Sequence, residues 1–294
     1  MFRAKEYKKV ESLEEAYELN QKRSNVLVGG MMWLKMGRGQ KGTLIDLSGL
    51  GLDQIQEDDK EFRIGCMCSL RKLETHKGLN EYFDNIFREC TRHIVGTQFR
   101  NGATVGGSIF GRFGFSDILA CMLVTDAWVE LYKGGTIPLA EFAARAYDRD
   151  ILVRVIIRKD GRKAAYITQR NSRTDFPVIA CGVARKDGTY YFSVGARPAK
   201  AALVVRPVTG ESLAEQARKA AEAYNYGDNM RAGGEYRRHL AQVYIRRLLE
   251  RLEQTDHKAG EDAGRPEPES QKSGPWVAGQ EPEAGRSGPA QEGV

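Results

Sequence analysis

The sequence has no long apolar run and no regular cysteine framework. No stretch of the 294 residues approaches the roughly 20 apolar residues that a bilayer-spanning helix needs. The N-terminal segment MFRAKEYKKVESLEEA lacks the apolar region of a secretory signal. The cysteines are odd in number and irregularly spaced: Cys66, Cys68, Cys90, Cys121 and Cys181. We therefore expect a cytoplasmic protein with free thiols and no membrane span.

Motifs for metal binding, hydrolysis and common nucleotide sites are also missing. The four histidines have no ligand spacing, and Cys66-x-Cys68 with Cys90 lacks a four-thiolate iron–sulfur pattern. No Ser, His and Asp arrangement indicates a hydrolase. No G-x-x-x-x-G-K-[ST] loop occurs, and the glycine pair of LVGG does not fit G-x-G-x-x-G. We expect no metal site in this chain, and a Rossmann or P-loop site has no support.

The net charge of +6 is unevenly distributed. Residues 254–294 carry eight acidic and four basic residues, so the rest of the chain is strongly basic. The basic part of the chain is compatible with binding of a nucleic-acid phosphate backbone, an anionic cofactor or an acidic partner subunit. The basic segments RKDGRK and RRHLAQVYIRRLLER are more simply explained as solvated faces, so we expect no nucleic-acid binding. The segment 254–294 is rich in Gly, Pro, Glu and Ser, which predicts a disordered tail.

Local patterns predict strands and helices in mixed order. Ser12 and Glu15 have capping-box spacing before a short helix, and Ser69 and Ser212 are further N-cap candidates. We expect strands in NVLVGG, TLIDLSGL, EFRIGCMCSL, DILVRVIIRK and KAAYITQRN, and a hairpin with the turn KDG in FPVIACGVARKDGTYYFSVGA. LNEYFDNIFRECTRHI predicts a helix, and so does EYRRHLAQVYIRRLLERLE, with Tyr236, Leu240, Val243, Leu248 and Leu252 on its core face. Because no regular βαβ repeat appears, the pattern favours an α+β fold.

Two glycine pairs dominate the rest of the sequence. Gly29 and Gly30 end a strand in NVLVGGMMWL, and Gly106 and Gly107 lie in ATVGGSIFGRFGFSDILACML. Each pair is either a plain turn or a place where backbone N–H groups approach a phosphate. Asp117 either bonds a ribose hydroxyl or caps the helix that begins ILACML. The residues alone leave both alternatives open.

The whole segment FRNGATVGGSIFGRFGFSDILACMLVTDAWVEL resembles a known family. It is similar to the glycine-rich segment R-N-x-A-T-x-G-G-N, followed by a loop and an Asp, of the FAD-binding medium subunit of molybdenum hydroxylases, such as xanthine and carbon monoxide dehydrogenases. The matching residues are Asn101, Ala103, Thr104, Gly106, Gly107, Asp117 and Leu123. LVGGMMWL resembles the first pyrophosphate loop of that family, and later segments match in order. The resemblance covers about residues 1–253.

The resemblance implies a vanillyl-alcohol-oxidase-type fold that clasps an extended FAD. Its subdomains would span 1–55 and 56–148, its C-terminal α+β flavoprotein domain 149–253, and the tail 254–294. One diphosphate would then lie between two loops, with Asp117 at the ribose or a nearby part of the adenosine, and Ile94 and Leu152 lining the flavin pocket. The first loop comprises Val28, Gly29, Gly30, Met31 and Met32, and the second Thr104, Val105, Gly106, Gly107 and Ser108.

The chain also departs from the family pattern. Met31 and Met32 replace the usual Thr-Asp, and Ser108 replaces the usual Asn. In YITQRNSRTDF, Thr168 and Gln169 are the candidates for a position where the family often has a lysine near the flavin. These changes affect single contacts more than the cofactor itself.

Aromatic side chains leave one alternative open. We expect Tyr82, Phe83 and Phe87 to pack in the core. Phe110, Phe113 and Phe115 in FGRFGF either approach the flavin or meet a partner subunit.

By the same resemblance, the chain would carry electrons out of a heteromeric complex. Electrons would pass from the [2Fe–2S] clusters of a small subunit through FAD to NAD+, while a molybdenum-cofactor large subunit oxidises a purine such as xanthine. The alternatives are the flavoprotein subunit of a carbon monoxide, aldehyde or other N-heterocycle dehydrogenase, and a free-standing flavin reductase of the same fold.

Overall fold

The computed structural model describes residues 2–263, which form three sheets with helices around them. The first sheet is parallel, in the order β1-β3-β2. Along the chain, the helix α1 connects β1 to β2. Ser12 caps that helix by accepting a hydrogen bond from the backbone N–H of Glu15 at 3.1 Å, as the sequence predicts. The elements are β1 (Phe2–Lys9), α1 (Leu13–Gln21), β2 (Val26–Val28) and β3 (Gly39–Asp46), with a 3₁₀ turn at Leu34–Met36.

The second sheet has five antiparallel strands in the order β4-β5-β8-β6-β7. They are β4 (Ile55–Glu57), β5 (Glu61–Gly65), β6 (Ala127–Leu131), β7 (Gly135–Pro138) and β8 (Leu152–Arg158). Since β8 lies between β5 and β6, the sheet is completed only after residue 152. The expected boundary between residues 148 and 149 therefore falls before a central strand of this sheet, and we propose a boundary after Arg158 instead.

Seven short helices accompany this sheet. The predicted helix in LNEYFDNIFRECTRHI is wrong as a single element. Asp84 and Asn85 have φ values of 47° and 62°, and this left-handed backbone divides the segment into two helices. The helices are α2 (Leu70–Thr75), α3 (Lys77–Tyr82), α4 (Ile86–Thr91), α5 (Thr97–Gly102), α6 (Val105–Phe110), α7 (Asp117–Met122) and α8 (Leu139–Ala144). Phe83 contacts both Tyr82 and Phe87; Phe83 and Phe87 are buried in the core, as expected, and Tyr82 packs partly buried against it.

The third sheet is antiparallel in the order β12-β11-β10-β9 and packs against two helices through its own hydrophobic core. The predicted hairpin is confirmed, with Asp187 and Gly188 at φ values of 45° and 68° in its turn. The α+β fold class is thus confirmed. The elements are β9 (Lys163–Arg170), β10 (Pro177–Lys186), β11 (Thr189–Gly195), β12 (Ala202–Pro207), α9 (Leu213–Glu222) and α10 (Gly234–Ala263).

The last helix differs from its prediction at both ends. Tyr236 is 50% exposed, contrary to the prediction, whereas Leu248 and Leu252 are buried and Leu240 and Val243 pack partly buried against the same core, as predicted. The buried face also includes Ala241, Tyr244, Ile245 and Leu249. The helix also continues to Ala263, ten residues into the segment expected to be disordered. Residues 264–294, the rest of that predicted tail, lie outside the described residues. In the described part, no helix combines the length and apolar character needed to cross a membrane.

Arg237 at the start of α10 is fully buried and fixes the preceding loop. Its guanidinium donates to the carbonyl oxygens of Val178 at 2.9 Å, Gly227 at 2.6 Å and Ala232 at 2.6 Å, and to Asn229 Oδ1 at 2.6 Å. A buried carbonyl without a donor is costly, so this one side chain holds the loop against β10.

We expect Arg237→Met to lower the free energy of unfolding by about 3 kcal/mol, because it removes charged donors from one buried and three partly buried oxygen atoms while keeping most of the side-chain volume. Thermal unfolding followed by circular dichroism measures the change. The control is Arg238→Met, at an exposed position on the same helix. Equal melting temperatures for the two variants would contradict this role of Arg237.

Candidate functional site

The two glycine loops, residues 28–32 (the first segment) and residues 104–108 (the second segment), lie against each other. A Cβ atom added to Gly29 would be 2.5 Å from Thr104 Oγ1. One added to Gly30 would overlap the carbonyl oxygen of Gly102, two residues before the second segment. Only residues without a side chain allow this approach of the two backbones. The structure therefore brings together two segments that are more than seventy positions apart in the sequence.

The second segment is fixed by hydrogen bonds between its own residues and by one to the backbone of Cys66. Thr104 caps α6, since its hydroxyl accepts from the backbone N–H of Gly107 at 3.2 Å. The Ser108 hydroxyl donates to the carbonyl of Thr104 at 3.0 Å. The backbone N–H of Gly106 donates to the carbonyl of Cys66 at 2.8 Å, and a Cβ on Gly106 would be 2.6 Å from that same oxygen. The segment thus has a fixed position over the end of β5.

A cavity of about 260 Å³ opens where the two segments meet. Six of the predicted site residues line it: Val28, Gly29, Thr104, Gly106, Gly107 and Leu152. The rest of its wall is formed by Asn20, Asn25, Val26, Leu27, Leu47, Cys66, Met67, Phe110, Asp148, Arg149 and Ile151. The wall is mainly apolar with a few polar groups, which is typical of sites for small molecules and cofactors.

The remaining predicted residues of the two loops lie beside this cavity rather than on its wall. Met31 has a φ of 56°, a left-handed backbone that is unusual for a residue other than glycine. A Cβ on Gly102 would overlap Met32 Cε, so Met32 covers the point where Gly30 meets Gly102. Val105 is fully buried in the core. Ile94, which was expected to line the flavin pocket, is not on the wall of this cavity. It is half-buried, and its carbonyl accepts from Arg100 Nη1 at 3.3 Å.

Asp117 has protein partners and is not open to the cavity. It is 4% exposed, its Oδ1 accepts from the Tyr166 hydroxyl at 2.7 Å, and its Oδ2 lies 2.6 Å from Arg170 Nη2. Burial raises the pKa of its carboxyl, whereas Arg170 and Tyr166 oppose that shift. Ser116, not Asp117, caps α7, because its hydroxyl accepts from the N–H of Leu119 at 3.1 Å. The structure thus places Asp117 in a buried ion pair between α7 and β9.

Two features of the site were missed by the sequence reasoning. Arg149 on the cavity wall donates to the carbonyls of Asn20, Lys22 and Asn25, and thereby joins the end of α1 to the start of β2. No motif marks this arginine, since its acceptors are backbone atoms far away in the sequence.

The second feature is an aromatic cluster next to the first loop. The ring of Trp33 lies 5.8 Å from Phe113, 5.0 Å from Phe115 and 5.5 Å from Phe176, measured between centroids. Phe110 packs elsewhere, against Phe142. The aromatic residues of FGRFGF gave a signal for this cluster, but Trp33 and Phe176 did not stand out.

Comparison with known proteins agrees with this geometry. Residues 2–159 match the family described as the FAD binding domain in molybdopterin dehydrogenase, and residues 189–252 match the CO dehydrogenase flavoprotein C-terminal domain. The chain belongs to this FAD-binding family. FAD is therefore its cofactor, and the predicted resemblance is confirmed.

Individual relatives cover nearly the same length. The chain is 26% identical over 259 residues to the uncharacterized protein YgfM of Escherichia coli K12, covering 86% of this chain and 96% of that protein. A carbon monoxide dehydrogenase structure from Hydrogenophaga pseudoflava aligns with a TM-score of 0.74 at 21% identity, over 83% of this chain and 96% of the other. Quinoline 2-oxidoreductase from Pseudomonas putida 86 aligns with a TM-score of 0.73 at 17% identity, over 86% and 96%. These two structures share its fold.

We expect Gly30→Ala to weaken FAD binding at least tenfold, because the new Cβ overlaps the Gly102 carbonyl and forces the two glycine segments apart. Quenching of flavin fluorescence during titration measures the dissociation constant. The matched control is Gly96→Ala, since a Cβ there meets no atom of the described residues within 4 Å. Unchanged FAD affinity in Gly30→Ala would show that the close backbone contact is not needed for the site.

Proposed function

We propose that this chain is the electron-transfer subunit of a molybdenum hydroxylase complex, and that its electrons pass from the [2Fe–2S] clusters of a partner subunit through FAD to NAD+. The complex would contain a molybdenum-cofactor large subunit that oxidises a purine such as xanthine. Membership of the FAD-binding family of molybdopterin dehydrogenases supports the class of reaction. The buried free thiols of all five cysteines suit a reducing, cytoplasmic setting.

The observation that carries this proposal is the backbone contact of the two glycine segments above the cavity. Backbone without side chains lets phosphate oxygens approach the N–H groups closely. Val28, Gly29 and Gly107 would contact the diphosphate of FAD, and Thr104 would keep the second segment in place through its cap. The residues present fit a dinucleotide that lies between the two segments.

The chain's own residues would bind, orient and shield the cofactor. The apolar side chains of Val26, Leu27 and Leu152 on the cavity wall exclude water from one side of the site. Arg149 keeps that wall together through its three backbone acceptors. When bound, FAD supplies the exchange of single electrons with an iron–sulfur centre and of electron pairs with NAD+.

Two alternatives concern the substrate and the assembly. The shared fold with carbon monoxide dehydrogenase and quinoline 2-oxidoreductase favours carbon monoxide or an N-heterocycle as the second candidate substrate of the complex. A free-standing flavin reductase of the same fold would need no partner subunits.

We expect the affinity-tagged full chain, purified from its native host, to bring down two further subunits and to contain FAD, iron and molybdenum. Xanthine should bleach the flavin absorbance without oxygen, and added NAD+ should restore it. Carbon monoxide, quinoline and an aldehyde are the comparison substrates. A complex bleached only by one of these would reject the purine, and a chain that elutes alone with FAD and is bleached by NADH would favour the free-standing reductase.

A further inference from the structure

The helix that leads to the second glycine segment has a single buried residue, and that residue is charged. The helix is α5, Thr97–Gly102, and all of it lies in the part of the chain that the structure describes. Its buried residue is Arg100, which is 6% exposed, and no described side chain caps the helix at Gly96. A helix this short has little stability of its own in water. Its position therefore depends strongly on how Arg100 is held.

Arg100 is held by a carboxylate on another helix. Its Nε donates to Glu74 Oε2 at 2.8 Å and its Nη2 to Glu74 Oε1 at 3.2 Å, which is the paired geometry of a guanidinium on a carboxylate. Glu74 belongs to α2 and is also 6% exposed. Burial by itself would raise the pKa of Glu74, but Arg100 and Arg71 lower it below its usual value, so the carboxylate is charged near pH 7. The two side chains thus form a buried ion pair between α2 and α5.

The same guanidinium also fixes the turn before α5. Its Nη1 donates to the carbonyl of Ile94 at 3.3 Å, and its Nη2 donates to the Thr97 hydroxyl at 3.4 Å. One side chain therefore joins α2, the turn and the helix. Removing either member of a buried ion pair leaves the other charge uncompensated, so the arrangement of these three parts requires both residues.

The chain after Arg100 runs directly into the contact between the two glycine segments. Two residues further on, the carbonyl of Gly102 is the group against which Gly30 packs. The carbonyl of Ala103 then accepts from the backbone N–H of Leu70, at the start of α2, at 2.8 Å. Gly102 thus lies between an ion pair to one end of α2 and a backbone hydrogen bond to the other. A shift of α5 relative to α2 moves the carbonyl that Gly30 meets.

We propose that the buried Glu74–Arg100 ion pair positions the Gly102 carbonyl against Gly30, and that it thereby sets the affinity of the site for FAD. The inference rests on the proposed binding of FAD between the two glycine segments. Neither Glu74 nor Arg100 lines the cavity, so both act through the backbone and are positioning residues. A paired guanidinium and carboxylate is directional, whereas apolar contact is not, and α5 therefore has one preferred position on α2.

A second buried ion pair provides the matched control. Arg162, directly before β9, donates to Asp160 Oδ2 from Nε at 3.1 Å and from Nη2 at 2.9 Å, and the two side chains are 8% and 11% exposed. Its Nη1 donates to the carbonyl of Val124 at 3.0 Å. This pair is as enclosed as the first one but has no printed contact with either glycine segment, and neither residue lines the cavity.

The test measures the dissociation constant of FAD in the purified full chain, well below the melting temperature of every variant. Glu74→Gln and Arg100→Met should each raise it about tenfold, and the double variant by no more than the larger single change, because the two residues act as one unit. Asp160→Asn and Arg162→Met should lower the melting temperature but keep the dissociation constant within about twofold of the wild-type value. A loss of stability alone would therefore not reproduce the expected loss of affinity.

Hydrogen exchange of the FAD-free full chain reports the position of α5 without any ligand. The amides of residues 97–108 should exchange faster in Glu74→Gln than in Asp160→Asn, because only the first change releases α5 from α2. Equal exchange of these amides in the two variants would overturn the positioning role.

Arg100→Lys keeps the charge but cannot make the paired contact, and it decides the matter if the other variants of the pair fail to fold. It should raise the dissociation constant about fivefold, and Arg162→Lys should not. Dissociation constants within about twofold of wild type in the folded Glu74 and Arg100 variants, or equal losses in the control pair, would reject the inference. A wild-type chain that binds no FAD would contradict the proposed function as well, whereas unchanged affinity in the variants rejects only this role of Glu74 and Arg100.

Discussion

The contact between Gly30 and the backbone of Gly102 is the constraint on which the site depends. Because a Cβ at Gly30 would overlap the Gly102 carbonyl, the segment after β2 and the end of α5 can only meet as bare backbone. The position of Gly29 against Thr104, and of the cavity between them, follows from this contact. The second sheet contributes by fixing Gly106 over Cys66. A small parallel sheet and a larger antiparallel one thus contribute to a single candidate site.

Much of the local structure could be predicted because its causes are local. The caps at Ser12, Ser69 and Ser212 are each made with a backbone N–H three residues away, which the sequence displays directly. The division of the helix at Asp84 and Asn85 was missed, since it depends on a left-handed backbone that helical periodicity does not reveal. The place of β8 was equally hidden, because strand order is decided by pairings with residues nearly a hundred positions away.

The site could be predicted only as far as the family resemblance reached. Each glycine pair alone was also compatible with a plain turn, and nothing local shows that the two pairs meet. For Asp117 the sequence offered a cap or a ribose contact, yet its actual partners, Tyr166 and Arg170, lie about fifty positions further along. The sequence around Asp117 gives no sign of an ion pair whose other member, Arg170, is so far along the chain.

The buried arginines explain part of the basic charge that the sequence concentrates before residue 254. Arg100, Arg112, Arg162 and Arg237 are all buried, and their guanidinium groups meet carboxylates, carbonyl oxygens or aromatic rings. Such groups cannot contribute to a surface that attracts a polyanion.

Arginines beside the third sheet also connect it to the first glycine segment. Arg237 fixes the loop that carries Arg231, and Arg231 pairs with Asp175 at 2.9 Å and lies over the ring of Phe176. Phe176 in turn packs on Trp33 beside the first glycine segment. The third sheet thus reaches the first glycine segment through guanidinium and aromatic contacts, in addition to the apolar contacts that Tyr166 and Ala180 make with the core around the second sheet. Within this series Arg237, with four acceptors and no exposure, is the most firmly held guanidinium, so the position of Arg231 and of its contact with Phe176 depends on it.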